Sequence, residues 1–348
     1  MRPEQWETFK RAAKRQGVER PPLALIVDSP WIPGFLGISH LDYYLDPDVW
    51  FDANLRVLGE FPEVTFFPSW WVEYGMAIEP SALGAKVVFH AHQTPSVSPV
   101  LFRLSDVQSV PPVTPRTDGL MAFALRLYER QLPRIRDAGF TVPVVSARGP
   151  LCTAAFFRGL NDFMTDVVDD PAGVHALLEL TTGLTIDWLR VQADVIGESV
   201  EGLFILDDIV GLLSPSLYRD FAHPYLCRIF GAFPKEWVKI YHNDANVATL
   251  VEDLATTGLD VLNWGKSPDA AEMQRRVGDQ ICLMGNVPPL DLGVRGTPDE
   301  VRRAARQVLE ATRGRGLILS LGGGVSPGTP AESIRALIAA ATEPSAGG

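Results

Sequence analysis

Cysteine, positive charge and long apolar runs are all scarce in this sequence. Its three cysteines, Cys152, Cys227 and Cys282, are widely spaced, which excludes a paired thiolate motif and a disulfide framework. Lysine and arginine number 31 against 42 acidic residues, and this net charge of −11 argues against nucleic-acid binding. No apolar run approaches the roughly 20 residues that span a bilayer. The charged segment 1–17 lacks the apolar core of a signal peptide, so we expect a cytoplasmic protein without membrane contact.

Short apolar runs rich in β-formers are what the sequence does contain. Hydrophobic residues make up 46% of the chain and charged residues 21%, which is typical of a globular protein with a large core. Most of the runs are apolar throughout, as expected for parallel strands covered on both faces, and a helical pattern follows them. They lie at 23–29, 63–69, 142–148, 203–208, 237–244, 261–264, 281–287 and 317–324.

Helix-start signals lie between these runs. A capping residue precedes a proline at Asp170, Ser214, Thr297 and Thr329. Alternation of strand and helix indicates parallel βα units, and eight of them predict an α/β protein with a closed (β/α)8 barrel, an open doubly wound sheet being the alternative. We expect one domain over residues 1–348, with an N-terminal helical extension and an inserted, Pro- and Ser-rich excursion at about 85–116.

The end of the run 237–244 is the first candidate site, because barrels of this kind place their chemistry at the C-terminal ends of the strands. His242 and Asp244 alternate, so their side chains point the same way if the strand continues to Asp244. An imidazole and a carboxylate suit zinc or another borderline divalent ion. They equally suit a histidine held by a carboxylate for acid–base work. A loop histidine beside a helix-capping aspartate is the structural alternative.

Other polar residues end the remaining runs. Asp207 and Asp208 are placed to bind a cation, to orient a substrate hydroxyl or to cap a helix. Arg148 is placed to hold a substrate carboxylate with two hydrogen bonds, or to pair with a neighbouring acid. Gly323, in a triple glycine, allows a phosphate loop or the close approach of a ligand. The same rim carries further candidates for substrate binding, with aromatic rings that suit a flat, apolar substrate: Asp28, Trp31, Trp71, Tyr74, Asn263 and Asn286.

Four segments resemble the uroporphyrinogen decarboxylase superfamily. They are EPSALGAKVVF (79–89), LDDIVGLLSPSLYRDFAHPYL (206–226), YHNDANVATLVEDLATTGLDVLNWG (241–265) and LGGGVSPGTPAESIRALIAAA (321–341). The similarity covers most of the chain in the family's order and implies a (β/α)8 barrel. It leaves the reaction open, because one branch decarboxylates uroporphyrinogen without a cofactor. The other branch comprises zinc-dependent methyltransferases that work with cobalamin-binding (corrinoid) proteins.

The decarboxylase branch matches poorly at its functional motifs. Its arginine-rich RQAGRY motif corresponds here to VDSPWIPGFLG (27–37), which contains no arginine. Its catalytic tyrosine falls at Phe156, and its late histidine falls at Gly323. A porphyrinogen with eight carboxylates needs basic partners, so the resemblance argues against true uroporphyrinogen decarboxylation.

The methyltransferase branch matches better. Its His-x-Cys zinc motif falls on His242-Asn243-Asp244, with Asp244 in place of cysteine, and its second cysteine falls at Gly323. The resemblance therefore implies a nitrogen- and oxygen-rich zinc site, and we expect Glu73, on the same rim, to be a further ligand. A harder, oxygen-rich site suits polarising an ether oxygen or a phenolate leaving group.

The resulting prediction is a corrinoid-dependent methyltransferase of the O-demethylase kind. It takes a methyl group from a small, methoxylated and possibly aromatic donor and passes it to cobalamin carried by a partner protein. A homodimer is expected from the resemblance. The first alternative is a metal-free decarboxylase of a small or aromatic acid, in which Asp207, Asp208 and His242 do acid–base work and Arg148 holds the carboxylate. A second alternative is a catalytically silent member that binds a small molecule or a tetrapyrrole.

Overall fold

Eight parallel strands form the barrel that the alternating pattern predicts. The computed structural model describes residues 1–27 and 30–343, so Asp28, predicted to bind substrate, lies outside the described residues. The barrel order is β2-β1-β10-β9-β8-β7-β6-β5, and parallel bridges Leu23–Leu319 and Ile26–Gly324 join β1 to β10. The strands are β1 Ala24–Ile26, β2 Thr65–Phe67, β3 Lys86–Val88, β4 Ser96–Ser98, β5 Val144–Arg148, β6 Gly202–Leu206, β7 Val238–Asn243, β8 Val261–Trp264, β9 Cys282–Val287 and β10 Leu317–Leu321. The closed barrel, and not the open sheet, is the architecture.

Most of the helices lie around the outside of this barrel. In the part of the chain that the structure describes, no helix has the length and apolar character that crossing a membrane requires. The helices are α1 Pro3–Ala13, α2 Ile32–Leu36, α3 His40–Leu45, α4 Pro47–Glu60, α5 Ile78–Ala82, α6 Gly119–Asp137, α7 Pro150–Arg158, α8 Leu160–Asp169, α9 Pro171–Ile196, α10 Pro215–Phe221, α11 His223–Gly231, α12 Val251–Ala255, α13 Ala270–Val277, α14 Pro298–Thr312 and α15 Ala331–Thr342. Short 3-10 helices span Leu104–Ser109 and Asp208–Leu212, and a π-helical turn spans Pro289–Val294.

Three of the four predicted helix starts are confirmed. The side chains of Asp170, Ser214 and Thr297 accept backbone N–H bonds at the N-termini of α9, α10 and α14, and Thr297 shares a reciprocal capping box with Glu300. Thr329 was wrong as a cap. Its hydroxyl donates to the Ser326 carbonyl at 2.8 Å, and α15 begins one residue later with Pro330 at the N-cap position.

Helix α1 is the N-terminal extension, and it closes the lower end of the barrel. Its Phe9 ring is fully buried, 5.6 Å from Trp6 and 5.1 Å from Phe67 between ring centroids. Trp6 Nε1 donates to Glu201 at 2.6 Å, and Lys14 Nζ pairs with Asp260 at 2.8 Å. Because those two acids directly precede β6 and β8, α1 lies at the N-terminal ends of the strands. It packs on the barrel interior, which contains Ala24, Ile26, Phe67, Trp71, Val144, Phe204, Leu206, Val238, Ile240, Val261, Cys282, Met284 and Ile318.

The substitution Glu201→Ala is expected to lower the free energy of unfolding by about 1 kcal/mol, because it removes the acceptor of two bonds that tie α1 to the barrel. Those bonds come from Trp6 and from Lys10 Nζ at 2.9 Å. Urea denaturation followed by circular dichroism measures the change. Glu7→Ala is the matched control, since Glu7 binds the same Lys10 from within α1. Equal losses in both variants would contradict an anchor through Glu201.

The inserted excursion at about 85–116 is confirmed as an irregular segment against the rim. Strands β3 and β4 pair as an antiparallel hairpin, and a 3-10 helix follows. The Ala91 carbonyl accepts from His40 N at 2.9 Å, and Val100 N and Leu101 N both donate to Phe157 O at 3.1 Å. These contacts bind the excursion to α3 and α7.

Candidate metal centre

Strand β7 places the His242 side chain inside the barrel. Val238 and Ile240 belong to the interior core, so strand alternation places the His242 side chain on the same inner side, where it is buried. The strand ends at Asn243 because that side chain turns back. Its Nδ2 donates to Asp207 O at 2.7 Å, and its Oδ1 accepts from Ala245 N at 3.0 Å. Asp244 therefore starts a loop directly above His242.

Asp208, His242 and Asp244 form a cluster with the composition of a metal site. Each offers one ligand atom, and these atoms all lie within 4.8 Å of one another. His242 Nε2 is 3.6 Å from Asp208 Oδ1, which also accepts a hydrogen bond from Asp244 N at 3.0 Å. Asp208 reaches this point from the end of β6, at the start of the 3-10 helix. We call these three residues the His–Asp cluster.

The charges in the cluster favour a cation. Partial burial, together with the neighbouring Asp208 carboxylate, raises the pKa of Asp244 above its usual range. Two carboxylates and one imidazole are ligands that zinc and other borderline divalent ions accept. The residues present therefore fit a divalent metal ion.

Asn263 supports His242 from the next strand. Its Oδ1 lies 2.7 Å from His242 Nδ1, and its Nδ2 donates to Met284 O at 2.8 Å and to Leu321 O at 3.2 Å. Asn263 is fully buried. One side chain thus joins the ends of β7, β8, β9 and β10 around the imidazole ring.

Glycines pack tightly around the loop that carries Asp244. A Cβ on Gly265 would lie 2.3 Å from Asp244 O, and a Cβ on Gly211 would lie 2.5 Å from the Ala245 Cβ. Gly323 has a φ of +137°, and a Cβ there would lie 3.4 Å from the Asp244 Cβ and 3.9 Å from His242 Cε1. The position where the resemblance places a cysteine ligand is therefore beside the cluster, with no side chain filling it.

Asp207 lies next to Asp208 in sequence, but its carboxylate caps helix α7. Its carboxylate accepts backbone bonds from Leu151 N at 3.0 Å and Cys152 N at 2.8 Å, at the N-terminus of α7. The approach is close enough that a Cβ on Gly149 would lie 2.2 Å from Asp207 Oδ2. Burial raises the pKa of Asp207 to about 7, against the opposing effect of these N–H bonds. Asp207, predicted as catalytic, is thus held by α7 and does not belong to the His–Asp cluster.

Glu73 also lies outside the cluster, although it was predicted as a ligand. Its carboxylate accepts a hydrogen bond from Gly75 N and lies 3.9 Å from Arg148 Nη2. The preceding loop turns sharply, with positive φ at Ser69 and Trp70, and directs Glu73 toward β5. The third group of the candidate metal centre is Asp208.

Arg148 and Trp71, both predicted to contact substrate, lie next to each other. Arg148 Nε and Nη2 donate to Gly75 O at 3.2 and 3.0 Å, and the guanidinium lies 5.3 Å from the Trp71 ring centroid. Phe204 connects this pair to the site, with its ring 6.0 Å from Trp71 and 6.2 Å from His242. Phe204 itself is fully buried in the barrel interior.

Two predicted aromatic residues are held by the fold. Trp31 is almost fully buried and donates Nε1–H to Thr329 O at 2.9 Å. Tyr74 packs on Tyr44 and Phe89, with centroid distances of 5.5 and 6.0 Å, and burial raises its pKa to about 12. The contacts of both residues are with the protein core.

Phe156 and Asn286, also predicted to bind substrate, occupy different environments. Phe156 is half-buried on α7. Asn286 is buried at the end of β9, where its Nδ2 donates to Gly265 O and Pro268 O, both at 3.2 Å. Asn286 therefore holds the loop after β8, which includes the glycine packed on Asp244 O.

A cavity of about 850 Å³ lies at the other end of the barrel. It is lined by the segment after α1 and by the C-terminal turns of α14 and α15. Arg15 and Arg313 in its wall follow the C-terminal ends of α1 and α14, and Arg20 donates to Thr342 O at the end of α15. Positive side chains at these places offset the helix dipoles. Since it contains no member of the His–Asp cluster, volume alone does not identify the functional site.

Comparisons with known proteins agree with this fold. The uroporphyrinogen decarboxylase of Coxiella burnetii (strain Dugway 5J108-111) is 26% identical over 356 residues, which cover 96% of this chain and 94% of that protein. That of Pseudoalteromonas translucida (strain TAC 125) is 27% identical over 280 residues, or 77% and 76% of the two chains. A solved methyltransferase from Methanosarcina mazei aligns with a TM-score of 0.82 at 20% identity over 97% of each chain, a likeness of fold alone.

The family itself follows from a sequence profile. The profile described as uroporphyrinogen decarboxylase (URO-D) matches residues 4–344, nearly the whole chain. This chain belongs to the uroporphyrinogen decarboxylase family.

Proposed function

We propose that this protein is a methyltransferase that transfers a methyl group from a small methoxylated donor to a corrinoid protein, with a divalent metal held by Asp208, His242 and Asp244. The observation that carries the proposal is the His–Asp cluster, whose ligand atoms lie within 4.8 Å of one another at the C-terminal ends of β6 and β7. A methyltransferase shares the fold. The resemblance places the family's His-x-Cys zinc motif on His242 and Asp244, two of these three residues.

The composition of the cluster suits an oxygen substrate. Bound there, a divalent ion supplies Lewis acidity toward the oxygen from which the methyl group leaves. Two carboxylates and one imidazole form a harder ligand set than thiolates, which favours oxygen over sulfur. Gly323 brings no side chain to this point, and its backbone lies close to Asp244 and His242. The Trp71 ring, 6.0 Å from Phe204, offers a flat apolar surface that suits a methoxyarene.

The same charges disfavour a substrate with many carboxylates. Asp208 and Asp244 lie at the point where the barrel opens, and both repel anions. Arg148 already donates to Gly75 O through Nε and Nη2. A neutral donor is therefore the substrate that the site accommodates best.

A metal-free decarboxylase acting on a small or aromatic acid is the second candidate. Family membership and the curated relatives favour it. In this reading the pair of His242 Nε2 and Asp208, 3.6 Å apart, moves the proton to the carbon that loses CO2. Arg148 would hold the substrate carboxylate.

Metal analysis and a transfer assay separate the two candidates. The purified protein, stripped with a chelator and dialysed against Zn²⁺, is expected to retain about one ion per chain. Incubated with a series of methoxyarenes and a reduced corrinoid protein, it is expected to release the corresponding phenol, detected by mass spectrometry. His223→Ala is the control, because His223 bonds Thr256 on the outside of the barrel. No retained metal together with CO2 release from an aromatic acid would replace the methyltransferase with the decarboxylase.

A further inference from the structure

We propose that Asn263 is a positioning residue that fixes neutral His242 as the tautomer protonated on Nδ1. The Nε2 lone pair then faces the two aspartates of the His–Asp cluster. This deepens the proposed function and rests on it for the identity of the bound ion. The tautomer itself is a property of the metal-free protein.

The orientation of the Asn263 amide follows from its partners. Met284 O and Leu321 O are carbonyl oxygens, which only accept hydrogen bonds. The atom of Asn263 that contacts both, at 2.8 and 3.2 Å, must therefore be the amide nitrogen. Because Asn263 is fully buried, no solvent contact offers the opposite orientation an equal set of bonds.

This orientation decides the protonation of the imidazole. Asn263 Oδ1 is left facing His242 Nδ1 at 2.7 Å, and an amide oxygen only accepts. His242 Nδ1 must donate, and a neutral imidazole has only one N–H. The lone pair then lies on Nε2, the nitrogen that is 3.6 Å from Asp208 Oδ1. Histidines that bind metals commonly donate their second ring N–H to a carbonyl or carboxylate in this way.

The use of an amide, and not a carboxylate, behind His242 also suits the charge of the site. Asp208 and Asp244 already bring two negative charges when ionised, and neutral His242 and Asn263 add none. A divalent cation balances that total. A carboxylate at position 263 would add a third negative charge and would face two carbonyl oxygens across short distances.

Nitrogen NMR on the metal-free protein tests the tautomer directly. With ¹⁵N-histidine labelling, above the ordinary range in which histidine protonates, His242 is expected to show a pyrrole-type Nδ1 and a pyridine-type Nε2. His242→Gln identifies its signals. A pyridine-type Nδ1, or two pyrrole-type nitrogens from a protonated ring paired with Asp208, would overturn the proposal. This measurement does not depend on how well any variant at position 263 folds.

The variant Asn263→Ala extends the test to metal binding. It is expected to lose the Nδ1–H preference of His242 and to bind Zn²⁺ about 10- to 100-fold more weakly, the usual effect of removing such a partner. Equilibrium dialysis measures the affinity, with His223→Ala as the matched control. Unchanged Zn²⁺ affinity in a folded Asn263→Ala variant would overturn the positioning role. A wild-type protein with the expected tautomer but no Zn²⁺ binding would overturn the proposed function and leave the tautomer assignment standing.

Discussion

Replacing His242 with alanine is expected to abolish both metal retention and methyl transfer. His242 supplies the one nitrogen ligand of the His–Asp cluster, and without it Asp208 and Asp244 are left as two carboxylates near each other. The loss of affinity should exceed the 10- to 100-fold that follows removal of an outer-shell partner. Metal content per chain and phenol release measure the two effects.

His223→Ala again serves as the control for a histidine elsewhere on the barrel, and circular dichroism confirms that both variants fold. If His242→Ala keeps a full complement of metal, the ligand set proposed for this site is wrong. If it loses the metal but keeps the transfer rate, the metal has no part in the reaction.

Asp207→Ala is expected to lower the free energy of unfolding by about 2–6 kcal/mol, since two buried N–H groups each lose an acceptor at about 1–3 kcal/mol. The affected donors are Leu151 N and Cys152 N in the first turn of α7. Urea denaturation measures the loss. Asp208→Ala is the matched comparison at the neighbouring position: it should lose metal but keep most of the stability. The reverse result would exchange the roles assigned to these two aspartates.

The pH dependence of stability supplies a second test of Asp207. Its folded-state pKa of about 7 lies above the ordinary value near 4, so the folded protein holds this proton more tightly than the unfolded chain. The contribution to stability is therefore fully present below about pH 4 and is lost as the pH rises through about 7. The Asp207→Asn variant has no titrating group at this position, so its free energy of unfolding should not show this loss. An identical pH profile in both proteins would contradict the raised pKa.

The barrel was predictable because its strands are apolar on both faces. Side chains from the inner and outer faces are both buried, so each strand leaves a continuous apolar run in the sequence. Helix-capping residues such as Asp170 and Thr297 indicated where helices begin between the strands. In β7 the interior positions Val238 and Ile240 place His242 on the same side, but the strand ends at Asn243, one residue short of the Asp244 that the prediction required.

The details of the site depend on loop paths and on contacts distant in sequence. Asp207 and Asp208 are adjacent, and only the position of α7 shows that the first carboxylate is used as its cap. Glu73 was misplaced because the turn at Ser69 and Trp70 directs it to Arg148. No local sequence pattern predicts such turns. Asp208, by contrast, was among the residues predicted to bind a cation or to act in catalysis, and it lies in the His–Asp cluster.

Closure of the lower end of the barrel by α1 has a kinetic consequence under the proposed function. Phe9 and Trp6 fill that end, so a donor approaching His242 enters from the C-terminal ends of the strands. A corrinoid protein has to present its cobalt through the same opening. Two reactants that share one entrance bind in a fixed order, with the smaller donor first, and the phenol leaves only after the larger protein has dissociated.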